Sequence, residues 1–284
     1  MEGEMKLSDE IIPNEVMTTA PRVNLSRREI ICGLAAGTVV PIVTSGCSTN
    51  PETGRSQFLL VGEGQIAQMA SSAWTEMKQQ TPQSSNSALT RRVNGVWDRI
   101  AQGAGKASEQ WEVAVFDTED VNAFVMPGNK VGVYRGITEL TENDDQLASV
   151  LGHEVGHVTG RHAAERYSMQ IAGQIALVAG AVAVSQSETL KKYGNEIGAL
   201  GGVALQFGVL LPYSRAHELE ADKLGVDYMN SSGFKVAEAP RLWDLMAAKS
   251  SGQRSPEFMS THPDPQRRAS ELRSYINAMG YDIV

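Results

Sequence analysis

Leu151-Gly152-His153-Glu154-Val155-Gly156-His157 organises the reading of this chain. It carries the pattern H-E-x-x-H in a partly apolar context that predicts a helix. Four residues on a helix amount to about 400° of rotation, so His153 and His157 leave the same face one turn apart and can meet a single ion. Glu154 is turned about 100° from His153, beside the ion but not on it, where it can take a proton from an activated water. Neutral imidazoles at this spacing suit zinc, whose catalytic sites take three protein ligands and keep a further position open. The bland alternative is a surface helix that happens to hold two histidines and a glutamate. The third ligand decides between them.

Two stretches offer one. His162 follows Gly160, but the extended pattern H-E-x-x-H-x-x-G-x-x-H needs its last histidine one residue later, where Ala163 stands. On a continuing helix His162 would also lie about 140° from His157, which predicts a surface or packing role. The second stretch is Ser214-Arg215-Ala216-His217-Glu218-Leu219-Glu220-Ala221-Asp222. Glu218 and Asp222 are four apart and share a helix face, while Glu220 points elsewhere. This assigns Glu218 to the zinc and Asp222 to the ring N–H behind a ligating histidine, the acceptor that fixes its tautomer. Taken alone, without the upstream H-E-x-x-H, the stretch reads rather as a solvated, charged helix face.

With these residues in hand the chain resembles the HtpX-type and CAAX-prenyl-protease-type zinc metallopeptidases, a branch of the gluzincins. The matching features are His153-Glu154-Val155-Gly156-His157, Glu218-Leu219-Glu220-Ala221-Asp222, Val121-Asn122-Ala123-Phe124, His262-Pro263 and Asn50-Pro51-Glu52-Thr53-Gly54-Arg55, together spanning roughly residues 50–275. The resemblance implies a mostly helical α+β fold, a zincin-like domain over residues 62–284 with a small β-sheet packed on the active-site helix. It implies one zinc per chain held by His153, His157 and Glu218, with Glu154 as catalytic base and endopeptidase activity on protein or peptide substrates. It points to the exported bacterial lipoprotein or periplasmic members, which deal with damaged or misassembled envelope proteins; a peptide-binding chaperone or assembly factor with slow or gated proteolysis is the competing function.

The amino terminus agrees with export. Residues 30–43 are apolar but only fourteen long and interrupted by Gly33, Gly37 and Pro41, too short for a span and suited to a signal's apolar region. Ser26-Arg27-Arg28-Glu29-Ile30-Ile31 upstream looks like a twin-arginine signal. Val43-Thr44-Ser45-Gly46-Cys47 resembles a lipoprotein cleavage box, although Thr44 stands where an aliphatic residue is usual. Residues 1–46 are thus read as an export signal, Cys47 as a lipidation site anchoring the chain to a membrane facing the periplasm, and 47–61 as a leader or tether. A plain cleaved signal or an uncleaved anchor, with Cys47 incidental, is the alternative.

Composition closes off other classes. The 284 residues are 42% hydrophobic and 20% charged, with a formal charge of −8 and an isoelectric point near 5.2. That describes a globular chain without the basic face of a nucleic-acid binder. Two cysteines, Cys32 and Cys47, exclude a disulfide scaffold and a thiolate metal cluster.

Periodicity predicts helices over 63–80 and 88–102, strands over 111–116, 121–126 and 130–134, and mostly helix beyond about Asp144. The apolar stretches 171–184 and 197–211 are short of the roughly 20 residues a bilayer requires and read as a buried hairpin or, alternatively, a membrane-dipping one. Either Asn122, Ala123 and Phe124 or the segment 131–134 could offer a strand edge to a peptide, unless both are fully paired. His262, in Ser260-Thr261-His262-Pro263-Asp264-Pro265, could close the zinc's open position, assist the transition state, or merely cap the last helix. His217 and Tyr213 are weaker candidates for oxyanion stabilisation.

Overall fold

The computed structural model describes residues 47–107, 109–173, 214–250 and 257–282. In chain order these give strands β1 (Cys47–Thr49) and β2 (Ser56–Phe58), helices α1 (Glu63–Gln80) and α2 (Ser87–Gly103), strands β3 (Glu112–Phe116), β4 (Ala123–Met126) and β5 (Lys130–Tyr134). There follow helices α3 (Arg135–Leu140), α4 (Asp144–Thr159), α5 (Arg215–Ser231), α6 (Glu238–Ser250), α7 (Glu257–Thr261) and α8 (Pro265–Met279). The domain is α+β and mostly helical, as expected. The apolar stretches 171–184 and 197–211 fall outside the described residues except for 171–173, as do Tyr213 and residues 1–46. Among the described residues no helix is long and apolar enough to cross a membrane.

Local chemistry sets the boundaries. Asn86 caps α2 by accepting from the N–H groups of Ala88 and Leu89, and Asn143 caps α4 by accepting from Gln146 N. Asp144 and Asp145 in the first turn of α4 complement the positive end of its dipole. From Gln146 to His157 every residue of α4 is buried. A helix buried on all sides must be apolar or have its polar groups partnered, which is why His153, Glu154 and His157 stand out here.

The principal sheet has the order β3-β5-β4, with β3 parallel and β4 antiparallel to β5. The turn at Pro127-Gly128-Asn129 holds Gly128 and Asn129 at φ +83° and +61°, left-handed conformations that glycine and asparagine tolerate best. One face of the sheet carries Phe116, Phe124 and Tyr134, which with Trp74 of α1 form a set of edge-to-face contacts. The main core joins α2, the sheet, α4, α5, α6 and α8 through Trp97, Val131, Val133, Leu147, Leu151, Met229 and Leu242.

Small residues bring α4 and α5 together. A Cβ on Gly156 would lie 2.6 Å from Ala221 O, and one on Gly225 would lie 2.8 Å from His153 N. Any side chain at these positions would wedge the helices apart and carry Glu218 away from the histidines. The H-E-V-G-H segment therefore fixes a helix contact as well as a chemistry.

Residues 47–61, expected as a leader or tether, contain a docked hairpin. β1 and β2 pair antiparallel, and Asn50 and Gln57 are buried. Their amides donate to the carbonyls of Thr159 (2.9 Å) and Gly160 (2.6 Å). Carbonyls at a helix end lack intrahelical donors, and the hairpin's side chains supply them at the end of α4.

Candidate metal centre

Two helices and one turn converge on a buried polar cluster. His153 and His157 come from α4, Glu218 from α5, and His262 from the turn between α7 and α8; one ligating atom from each lies within 4.8 Å of all the others. His153 Nε2 lies 3.0 Å from His157 Nε2 and 3.1 Å from His262 Nδ1. Glu218 closes the group, with Oε1 3.4 Å from His157 Nε2 and Oε2 3.6 Å from His153 Nε2 and 2.9 Å from His262 Nδ1.

The groups behind the cluster orient the imidazoles. His153 Nδ1 lies 3.0 Å from Asp222 Oδ1, as the spacing of Glu218 and Asp222 predicts. With its proton on Nδ1, His153 turns the lone pair of Nε2 inward. His157 Nδ1 meets His162 Nδ1 at 2.9 Å, and His162 Nε2 meets Glu220 Oε2 at 3.0 Å. A carboxylate only accepts, so His162 carries its proton on Nε2 and accepts at Nδ1; His157 then donates from Nδ1 and aims its own Nε2 lone pair at the cluster. Burial pushes both imidazoles below their ordinary range, His157 to about 3, so both are neutral. Burial raises Glu218, but His262 Nδ1 at 2.9 Å and the Arg268 guanidinium at 2.8 Å outweigh it and hold the carboxyl well below its ordinary range.

Of the surface and packing roles expected for His162, the structure shows the buried one: it is completely buried behind His157. The sequence reading assumed a helix continuing past His157, whereas α4 ends at Thr159 and Arg161 takes φ +54° before helical structure resumes over 162–173. The left-handed residue swings His162 back against the end of α4. Glu220, expected to point elsewhere, is away from the ligating atoms but is the partner of His162. His217 stacks on His162 at 4.4 Å and contacts Glu165 at 3.1 Å, so it faces away from the cluster.

Arg268 was not foreseen. In the first turn of α8 and 2% exposed, it donates Nε to Asp222 Oδ2 at 2.7 Å and places Nη1 2.8 Å from Glu218 Oε2. Its Nη2 also reaches Asp222 Oδ1 and comes within 2.9 Å of His153 Nδ1, so Asp222 is shared between imidazole and guanidinium. The guanidinium lies 3.7 Å from the centroid of Trp243. Two buried carboxylates require a buried cation, but nothing local in the sequence says which arginine supplies it.

Glu154 stands beside the ligand atoms. Its Oε2 accepts from Val125 N at 3.3 Å. Its Oε1 is buried without a hydrogen-bond partner and lies 3.4 Å from His262 Nε2. Burial, with Glu218 nearby, pushes this carboxyl up to about 7. A buried oxygen with no donor is an acceptor left open beside the ligand atoms.

Of the two candidate strand edges, β5 is interior and β4 is the edge. Tyr134 N donates to Asn122 O at 3.0 Å, so Asn122 and, by alternation, Phe124 spend their main-chain groups on β5. Ala123 and Val125 therefore present theirs outward, and Val125 N is the group that reaches Glu154. Upstream, Phe258 N on α7 donates to Val121 O at 2.9 Å. A cleft of about 320 Å³ opens beside this strand, lined by Val125, Pro127, His157, Val158, Ile66 and Ala67 among others.

Residues 87–276 match the model of Peptidase family M48. The chain belongs to this family. The mitochondrial metalloendopeptidase OMA1 of Schizosaccharomyces pombe is 34% identical over 188 residues, 66% of this chain and 53% of that protein. The beta-barrel assembly-enhancing protease of Escherichia coli is 26% identical over 258 residues, 88% of this chain and 52% of that protein. The OMA1 metalloendopeptidase of Arabidopsis thaliana is 29% identical over 263 residues, 91% of this chain and 51% of that protein. The chain spans about half the length of these curated relatives.

Zinc is the cofactor of M48 peptidases, and the cluster fits it. Zn–N and Zn–O bonds of about 2.0–2.2 Å set tetrahedral ligand atoms about 3.3–3.6 Å apart. The contacts above run from 2.9 to 3.6 Å. Two inward lone pairs 3.0 Å apart on neutral imidazoles also repel unless a cation lies between them.

Proposed function

We propose that this chain is a zinc-dependent endopeptidase that hydrolyses peptide bonds of unfolded or misassembled cell-envelope proteins. The observation that carries the reading is Glu154: a buried carboxylate, anchored through one oxygen and open at the other, next to three neutral or anionic ligands from two helices. His153, His157 and Glu218 hold the zinc, and Asp222 and Arg268 orient them. Zinc, when bound, supplies Lewis acidity that makes water nucleophilic near neutral pH and polarises the scissile carbonyl.

Glu154 Oε1 takes the proton of the attacking water, and Oε2 stays on Val125 N so that the carboxylate does not swing away. The same oxygen then delivers the proton to the leaving amine. A substrate backbone adds along β4 at Ala123 and at the carbonyl of Val125, whose N–H stays on Glu154, and main-chain bonds give affinity with little dependence on side chains, as unfolded substrates demand. Its reactive carbonyl then lies beside the group anchored by Val125 N.

His262 supports a second, gated reading. Its Nδ1 sits in the ligand set at 2.9–3.1 Å from two ligands, the place a water must take. A fourth protein ligand closes a catalytic site. In this arrangement α7 and His262 hold the peptidase shut, and a binding or assembly function with gated proteolysis draws on the same edge strand.

The envelope assignment draws on the export-like residues 1–46, on Cys47 as lipid anchor, and on similarity to a protease named for β-barrel assembly; the chain then works as an exported lipoprotein facing the periplasm. The test is degradation of an unfolded model protein by the full chain beside its folded form. Cleavage of the unfolded form is expected, stopped by 1,10-phenanthroline and restored by added zinc. Cleavage that survives chelation would sink the reading.

A further inference from the structure

The hairpin β1–β2 reaches the metal centre through an unbroken set of bonds. Arg55, just before β2, donates Nε to Glu220 Oε2 at 3.0 Å and to Oε1 at 3.2 Å. Its two terminal nitrogens hold Glu165 at 2.9 and 2.7 Å, the bidentate geometry that fixes a guanidinium in one plane. Gln57 Nε2 adds a bond to Glu165 Oε2 at 3.0 Å. Glu220 meets His162, and His162 meets His157. Each link is directional: the guanidinium only donates, the carboxylate only accepts, and the imidazole between them has a single tautomer that satisfies both.

The two histidines of H-E-x-x-H are therefore held differently. His153 rests directly on a carboxylate of α5. His157 rests on another imidazole, His162, whose Nε2 is held by Glu220. Glu220 lies on α5 two residues beyond the ligand Glu218, and Arg55 Nε holds both of its oxygens, with Thr53 adding a hydrogen bond. Arg55 lies outside the family-matched residues 87–276.

We infer that Arg55 is a positioning residue for the metal ligand His157, acting through Glu220 and His162, which makes the hairpin part of the metal centre. This rests on the zinc reading above. Loss of the partner behind a ligating histidine costs about 10- to 100-fold in metal affinity. Arg55 then sets zinc affinity from a strand that touches neither the zinc nor the substrate.

The test is the zinc dissociation constant of the full chain, by competition with a chromophoric chelator, for the parent, Arg55→Ala, His162→Leu and the double variant. Each single change is expected to weaken zinc by about tenfold or more. In the double variant the loss is expected to stay within about twofold of His162→Leu alone, because residues acting along one network do not add. Arg55→Ala at parental affinity, or losses that multiply in full, would overturn the inference. Should Arg55→Ala fail to fold, Glu220→Gln breaks the same link with its ion pair: weaker zinc supports the inference and unchanged zinc overturns it. A parent that binds no zinc would instead bring down the metal reading itself.

Discussion

Glu154→Gln is expected to lower cleavage of an unfolded protein by about 10²- to 10⁴-fold, the usual worth of a positioned general base. Zinc content is expected to stay at the parental level. Glutamine has the same shape, can still accept from Val125 N, and leaves the three ligands and their partners in place. It cannot receive a proton. Burial already holds the Glu154 carboxyl near 7, so the neutral amide adds no new desolvation cost and the variant is expected to be at least as stable as the parent. Steady-state rates and metal content measured on one preparation check this. Cleavage near the parental rate would remove Glu154 from the chemistry.

His262→Ala is expected to act in the opposite direction. If His262 closes the site, the open form is the minor state, and minor states of this kind are commonly about 0.1–10% populated. Removing the imidazole then raises turnover by about tenfold or more, with somewhat weaker zinc because a ligand is lost. The neighbouring contacts predict an opening as a unit: Phe258 lies 4.4 Å from His262 and stacks on Trp243 at 5.8 Å. A fall in rate at unchanged zinc content would instead assign His262 to the transition state.

What could be read from the sequence was what obeys a local period. H-E-x-x-H and the Glu218–Asp222 pair are both four-residue repeats, and helix geometry alone places each on one face. The α1 boundaries and β5 were legible for the same reason. The edge strand was not, because β4 and β5 have equal claims until strand order is known, and order is a long-range property. The contact of His162 with His157 was not legible because one left-handed residue, Arg161, redirects the chain between two helical stretches. Arg55 and Arg268 were invisible as site residues: Arg55 is separated from Glu165 by 110 positions and Arg268 from Asp222 by 46. A buried acid requires a counter-charge somewhere, but only the fold says which residue provides it. The hairpin within residues 47–61 was not legible because its polar residues suit exposed chain. Here they satisfy the end of α4.

The most direct test of the metal centre is zinc content of the purified full chain beside Glu218→Ala, after dialysis against a weak chelator. The parent is expected to retain about one zinc per chain and the variant to lose it, since two histidines alone make a poor zinc site. A parent without stoichiometric zinc, or a Glu218→Ala variant that keeps it, would contradict the assignment of His153, His157 and Glu218 as the site that holds the metal.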